Sequence, residues 1–229
     1  MAKPRARRAP TQARSIETVK AVFEASALIL QRDGMQGLTT ARIAEVSGYG
    51  VSTIYDYFPN KDAILLAMAR RELEMTFQAM QKSVAATRDA DAETVIRTLI
   101  RAFIRGFAGR QRMRGALLER MIAGGRAAEL AAFIDRATTL LLATDGGVAS
   151  RLGPESLYVL TRAITGAVRA WAMEGGARVS AQCLEVELAE LAHAYLQRCL
   201  ARDRLTPALG KSETTASREL ARSRKTQKT

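Results

Sequence analysis

The sequence predicts an all-α fold, with a small N-terminal head of three helices followed by a larger helical body. Apolar residues recur at spacings of three and four along almost the whole chain, and runs of strict alternation are missing. With 229 residues, 48% of them hydrophobic, the chain can bury one sizeable core, or a small unit attached to a larger one. The stretches TRDAD, AGGR, TDGGVASRLG and EGGARV are loop-like in composition and divide the helical segments.

The first helix is expected from about Gln12 to Asp33, with Ile16, Val19, Ala27, Leu28 and Leu30 inward and Gly34 as its stop. LTTARIAEVSG reads as a very short second helix, capped by Thr40, with Ile43, Ala44 and Val46 inward and Gly48 at its end. Tyr49 and Gly50 then make a tight turn. A third helix runs from Val51 to about Phe58, where Pro59 stops it, and Asn60 caps a long fourth helix through Met80. Further helices are expected at Ala92 to Ala108, Arg112 to Ala123, Ala127 to Ala143, Pro154 to Glu174 and Ser180 to Arg202. Pro154 suits a first helical turn, where its missing N–H costs nothing.

Charge narrows the choice of partner. Lys and Arg number 35 against 23 Asp and Glu, a formal net charge of +12, which points to a polyanion and leaves nucleic acid and anionic membrane open. The excess gathers at the ends: Lys3, Arg5, Arg7, Arg8 and Arg14 in the N-terminal arm, and Lys211, Arg218, Arg222, Arg224, Lys225 and Lys228 in the tail. Neither end carries an apolar face that would hold it on a bilayer. No continuous apolar segment is long enough to span a membrane, and no apolar leader core occurs in the first thirty residues, so a soluble cytoplasmic protein is expected. Cys183 and Cys199, separated by helical sequence, imply no disulfide framework.

Two short helices joined by a glycine-containing turn form a helix-turn-helix, a frame that lays its second helix in the major groove of DNA. The outward side chains from Val51 to Tyr57 then reach base edges, while a tyrosine hydroxyl and Lys61 reach phosphate oxygens. The N-terminus of the second helix, with the Thr40 hydroxyl and Arg42 beside it, offers a further phosphate site. A basic arm ahead of the first helix can follow the backbone or enter the minor groove.

LTTARIAEVSGYGVSTIYDYFPNKDAI also resembles the signature of the TetR family of bacterial transcriptional regulators. The matching positions are Thr39 and Thr40, Ile43 and Ala44, Gly48, Thr53 with Ile54 and Tyr55, Tyr57 with Phe58, and Asn60 with Lys61 and Asp62. The specific match covers about residues 12 to 72. The resemblance implies that Thr40, Tyr55 and Lys61 hold phosphates and that Val51, Ser52, Thr53 and Tyr57 face the groove. Tyr49 and Gly50, in the turn ahead of them, complete the expected DNA-binding set. They depart from the family pattern, which commonly has valine at the first of these positions and a serine-like cap at the second. Val51 and Ser52 cannot make the bidentate base contacts of Arg or Asn, so readout is expected to lean on thymine methyls, Arg42 and DNA shape.

The expected organisation is a basic arm over residues 1–11, a DNA-binding head over 12–61, an effector-binding and dimerisation body over 62–204, and a basic tail over 205–229. The final helix shows two apolar stripes, Leu184, Leu188, Leu191 and Tyr195 against Ala189, His193, Leu196 and Leu200, and so calls for two packing partners. Together with Leu160 and Ala167 of the helix before it, the second stripe is expected to meet another copy of the chain. The resemblance implies the same arrangement, a four-helix interface of two-fold symmetry, and two-fold symmetry implies a near-palindromic operator.

The resemblance implies a pocket for a small effector in the body; Phe77, Met80, Phe103, Phe107, Met113, Met121, Phe133 and Trp171 are its expected lining, with a hydrophobic or amphipathic effector as the default. Arg97, Arg101 and Arg105 read as a solvated face. His193, the only histidine, has no neighbouring carboxylate motif or metal-ligand spacing, and GYG lacks the strand and third glycine of a dinucleotide loop. Neither an enzyme nor a metal or cofactor site is expected. The first reading is a dimeric repressor released by a small effector. The second is a nucleoid-associated or partner-recruiting DNA-binding protein with the same head and no effector.

Overall fold

The computed structural model describes residues 9–87, 90–144 and 152–202. Every regular element among them is an α-helix: α1 Ala9–Gly37, α2 Thr40–Ser47, α3 Val51–Tyr57, α4 Lys61–Ala85, α5 Ala92–Phe107, α6 Gln111–Ala123, α7 Ala127–Thr144 and α8 Pro154–Met173. A last helix, α9, covers 181–202. The cations of residues 1–8, and the tail from 205, lie outside the described residues.

Local chemistry explains most boundaries. In α1, Gly34 takes φ 69° and ψ −165°, which breaks the helical path where a stop was expected and leaves one further turn before Gly37. Thr39, not Thr40, caps α2: the Thr39 hydroxyl oxygen accepts the Arg42 N–H at 3.1 Å. Gly48 ends that helix in a left-handed conformation, φ 75°, which a residue with a Cβ adopts only at a cost. The Asn60 side chain accepts from the Ala63 N–H at 2.9 Å, as its position before α4 predicts. Asp91 does the same for Thr94 at the start of α5, at 2.7 Å. α1 begins three residues ahead of the expected Gln12, so its first turn takes over the end of the expected arm.

Two apolar clusters hold the molecule together. One is built on Val22, Ile29, Leu30, Leu38, Ile43 and Ile54 of α1 to α3, and it draws in Ile64, Leu65 and Met68 of α4 and Met113, Leu117 and Met121 of α6. The other is built on Phe77, Val84, Val95, Phe103, Phe107, Phe133, Leu160, Val168, Trp171, Leu188 and Leu196 of α4, α5, α7, α8 and α9, with Leu118 of α6. Helix α6 therefore stands between them, its Met113, Leu117 and Met121 on the head and Leu118 on the body. Its approach to α8 is close at Gly115, where a Cβ would lie 3.0 Å from the Ala172 carbonyl oxygen.

Several inward assignments read from periodicity differ in the structure. Ile16 and Leu28 of α1 are 64% and 62% exposed, and Val46 of α2 also faces solvent. The arginines of α5 are not all free in water: Arg101 pairs with Glu185 of α9 at 2.7 Å, whereas Arg97 pairs along its own helix with Glu93. His193 of α9 lies 3.4 Å from Glu93, a contact between helices at the surface.

Candidate functional site

Helix α3 is held by a single deeply buried side chain. Ile54 is inaccessible to solvent, and Phe58, directly after the helix, is half-buried with its ring 5.8 Å from that of Phe23. With one anchor per two turns, the opposite face is left open: Val51, Tyr55 and Tyr57 are 40%, 51% and 37% exposed, Ser52 and Asp56 are exposed, and Thr53 is half-buried. Gly50 supplies an extended N-cap without a side-chain hydrogen bond, so the first N–H groups of α3 have no cap partner from that residue. Tyr49 beside it is half-buried.

The remaining expected DNA-facing residues lie on α2, at the end of α3 and at the start of α4. Thr40 opens α2 in a half-buried position, and Arg42 extends its guanidinium to Glu45 at 2.6 Å. The Tyr57 hydroxyl donates to Ser15 Oγ at 3.2 Å, which ties the end of α3 to the start of α1. Lys61, at the first turn of α4, donates to the Leu38 carbonyl at 3.4 Å while remaining exposed. Two contributors were not foreseen from the sequence. Thr39 takes the capping role, and the adjacent threonine masked it. Ser15 fixes Tyr57 from forty-two positions away, a contact no local pattern announces.

The expected effector pocket is more selective than its list of large apolar residues. An inner cavity of about 70 Å3 lies among α4, α5, α7 and α8, lined by Met80, Ile96, Leu99, Phe103, Phe133 and Leu160 among others. A second, of about 250 Å3, adjoins it: Phe103, Phe133, Ile134 and Thr165 belong to both, and Leu73, Phe107, Leu118, Leu130, Arg162 and Arg169 continue the wall. Met113 and Met121 instead fill the head cluster. Phe77 is core beneath the Arg136 guanidinium, which stands 3.9 Å from its ring centre. Trp171 is a joint between helices: its indole N–H donates to the Val179 carbonyl at 2.7 Å and its ring packs on Gly176.

Of the expected contacts between copies, Leu160, Ala189 and Leu196 are buried in the subunit's own core. Ala167 and Leu200 are half-buried and His193 is exposed. Exposed apolar side chains on the same two helices are Tyr158, Val159 and Met173 on α8, with Val186 and Leu191 on α9. Among the described residues no group of acidic, histidine and cysteine side chains has the arrangement of a metal site, and no helix is long and apolar enough to cross a membrane.

Comparison with known proteins bears on this geometry. Residues 22–68 match the model of the family described as bacterial regulatory proteins, tetR family. Comparison with curated protein sequences gives no match. A TetR family transcription regulator from Marinobacter aquaeolei VT8 superposes with a TM-score of 0.57 at 21% identity, over 80% of this chain and 97% of the other. A TetR-like transcriptional regulator from Rhodococcus sp. RHA1 gives 0.58 at 19% identity, over 83% and 99%. The regulator FadR from Bacillus subtilis, solved in complex with stearoyl-CoA, gives 0.56 at 16% identity, over 76% and 96%. At these identities the likeness is one of fold, and it extends through the helical body as well as the head. Residues 22–68 thus match the helix-turn-helix region of the TetR family of bacterial regulatory proteins, and the described helices share the all-α fold of the TetR-family regulators compared.

Proposed function

We propose that this regulator is a homodimeric repressor that holds a near-palindromic operator in the cytoplasm and releases it when a small, largely apolar effector enters the body. The carrying observation is the single-anchor packing of α3, which leaves its outward face open at the width of one helix. In this reading Thr40, Tyr55 and Lys61 hold phosphates, and Val51, Ser52, Thr53 and Tyr57 face the bases. Arg42 exchanges Glu45 for the DNA backbone or the groove edge.

Pairing of two copies falls to the exposed apolar stripe of α8, Val159, Ala163, Ala170 and Met173, with Val186 of α9 alongside. Those residues take the role expected of Leu160, Ala189 and Leu196, which are already spent in the subunit core. Residues 12–61 act as the head and residues 62–204 as the body, with α6 as their shared member.

Release follows from linkage. An effector that favours a body conformation in which the two α3 helices are wrongly spaced lowers DNA affinity by the same factor, equivalent to about 1–3 kcal/mol. Helix α4 supplies the lever, since Lys61 lies beside the DNA-facing surface and Met80, on the same helix, lines the inner cavity. Helix α6 supplies the fulcrum, clamped to α4 by the Arg114–Glu72 pair at 2.6 Å and by Arg120–Asp62.

The test is an operator selection from random duplexes with the wild-type chain and with Val51→Gln. A near-palindromic consensus for the wild type, shifted toward adenine contacts in the variant, is the expected result. An unchanged consensus in Val51→Gln would remove α3 as the reading element. The absence of any consensus would favour a nucleoid-type role.

A further inference from the structure

We infer that the effector is an amphiphile with an anionic end, its apolar chain in the paired cavities of the body and its anion at Arg169 and Arg162 of α8. This inference rests on the effector reading above and adds the chemical class of the ligand.

The inner cavity offers a ligand almost nothing polar. Its three threonines donate their hydroxyl protons to carbonyls one turn back on their own helices: Thr138 to Ile134 at 2.9 Å, Thr161 to Leu157 at 2.8 Å and Thr165 to Thr161 at 2.7 Å. Every other residue of that wall is a hydrocarbon, aromatic or thioether side chain. A hydroxylated or charged group placed there would leave its own hydrogen-bonding groups unmet, so the space selects a hydrocarbon chain.

The adjoining cavity changes character at one edge. Between Phe103, Phe107, Leu118, Leu130 and Phe133 it remains apolar, but along α8 it ends at Arg162 and Arg169. These two residues lie seven apart, hence on one side of α8, and both border the cleft toward α7. Arg162 is partly engaged, with Asp135 at 2.9 Å and the Tyr158 ring 4.8 Å away. Arg169 has no ion pair among the described residues. A guanidinium at the rim of an apolar cleft, with no carboxylate of its own, is a fork for a carboxylate or phosphate. The Phe103 and Phe133 rings, in contact at 5.8 Å between centres, stand where the two cavities meet, so a chain that extends from the arginines into the inner cavity has to displace one of these rings. The likeness to FadR carries none of this, since at 16% identity it speaks for the fold alone.

Two sources provide such a ligand, a free long-chain carboxylate or a chain carried on a phosphate-bearing thioester. Titration calorimetry on the full-length protein separates them with dodecanoate and dodecanoyl-CoA as probes, below their micellar concentrations. 1-Dodecanol and dodecyltrimethylammonium are the matched neutral and cationic controls. At least one anionic probe is expected to bind about tenfold or more tightly than dodecanol, as a charge-assisted contact implies. Arg169→Gln and the double variant with Arg162→Gln should abolish that preference while dodecanol binding stays unchanged. Circular dichroism of the variants, at exposed Arg169 and half-buried Arg162, verifies that they fold.

Equal binding of dodecanol and both anions, tighter binding of the cation, or an anion preference that survives the double variant would each overturn the assignment and leave the effector reading standing. Failure of every chain compound to bind overturns the assignment too. If a broad library of uncharged apolar compounds then also fails to raise the melting temperature, the effector reading falls with it.

Discussion

In the proposed reading Lys61 serves two structures. In the free protein its ammonium reaches the Leu38 carbonyl at 3.4 Å, a long contact at an exposed position that binding can exchange for a phosphate at little cost. Each phosphate neutralised releases condensed counterions, so Lys61→Ala should weaken binding to all duplexes alike and reduce the slope of log affinity against log salt by about 0.9 for each contact removed. Fluorescence anisotropy across a salt series measures it, and a loss confined to one operator sequence would assign Lys61 to base reading instead. The outward position of Tyr55 is legible in the sequence, because Ile54 and Phe58, four apart, turn inward and leave it on the other side of a two-turn helix. Thr39 is less so: two adjacent hydroxyls satisfy the same capping pattern, and only the extended backbone at Thr39, φ −128° and ψ 154°, separates them.

At the scale of elements, the chain's contact between α4 and α7 is fastened by charge. Arg70 meets Glu129 through two hydrogen bonds of 2.8 Å, and Arg136 meets Glu74 at 2.9 Å. Hydrogen bonds from the arginines hold both carboxyls below their ordinary values. A carboxyl with a lowered folded value contributes stability above the ordinary range, near 4.5 for glutamate, and loses it as pH falls through the folded value. The melting temperature should therefore drop as the solution is acidified below about pH 4.5, and the drop should shrink in the double variant Glu74→Gln, Glu129→Gln. Calorimetric scans of both proteins between pH 7 and 3 decide this. An uncharged constraint joins α6 to α8. A Cβ on Gly115 would lie 3.0 Å from the Ala172 carbonyl oxygen and 3.3 Å from the Met173 Cα, and backbone cannot rotate aside as a side chain does. Gly115→Val should cost about 1–3 kcal/mol in urea unfolding by forcing the helices apart. Periodicity located these helices well but not their partners. Leu160 and Val159 sit side by side in a sequence apolar around half the helix, and only the packed body reveals that the first is core and the second is exposed. The same limit explains Trp171 and Met121, bulky enough for a pocket wall yet spent in the α8–α9 joint and in the head cluster.

For the whole molecule, spacing between the two reading heads of the proposed dimer is what an effector would alter, and a single subunit has no such spacing. Val159, Ala163, Ala170 and Met173 leave small and apolar side chains exposed along one side of α8, where a second copy can approach closely. Ala170→Arg places a long cation in that approach without touching the subunit core, since Ala170 is exposed in the isolated chain. The variant should run as a folded monomer in light scattering at micromolar concentration, where the wild type is expected to run as a dimer. Its affinity for a full operator should fall to that for a half-site, because two linked contacts become two independent ones. Nonspecific binding per subunit should persist, since the charge that drives it resides on each copy separately. A variant that remains dimeric would move the contact to another face, whereas a wild type already monomeric under these conditions would dissolve the link between effector binding and head spacing. In that case the apolar chain in the body would have to act through α4 and α6 within one subunit, and operator release would show no dependence on protein concentration.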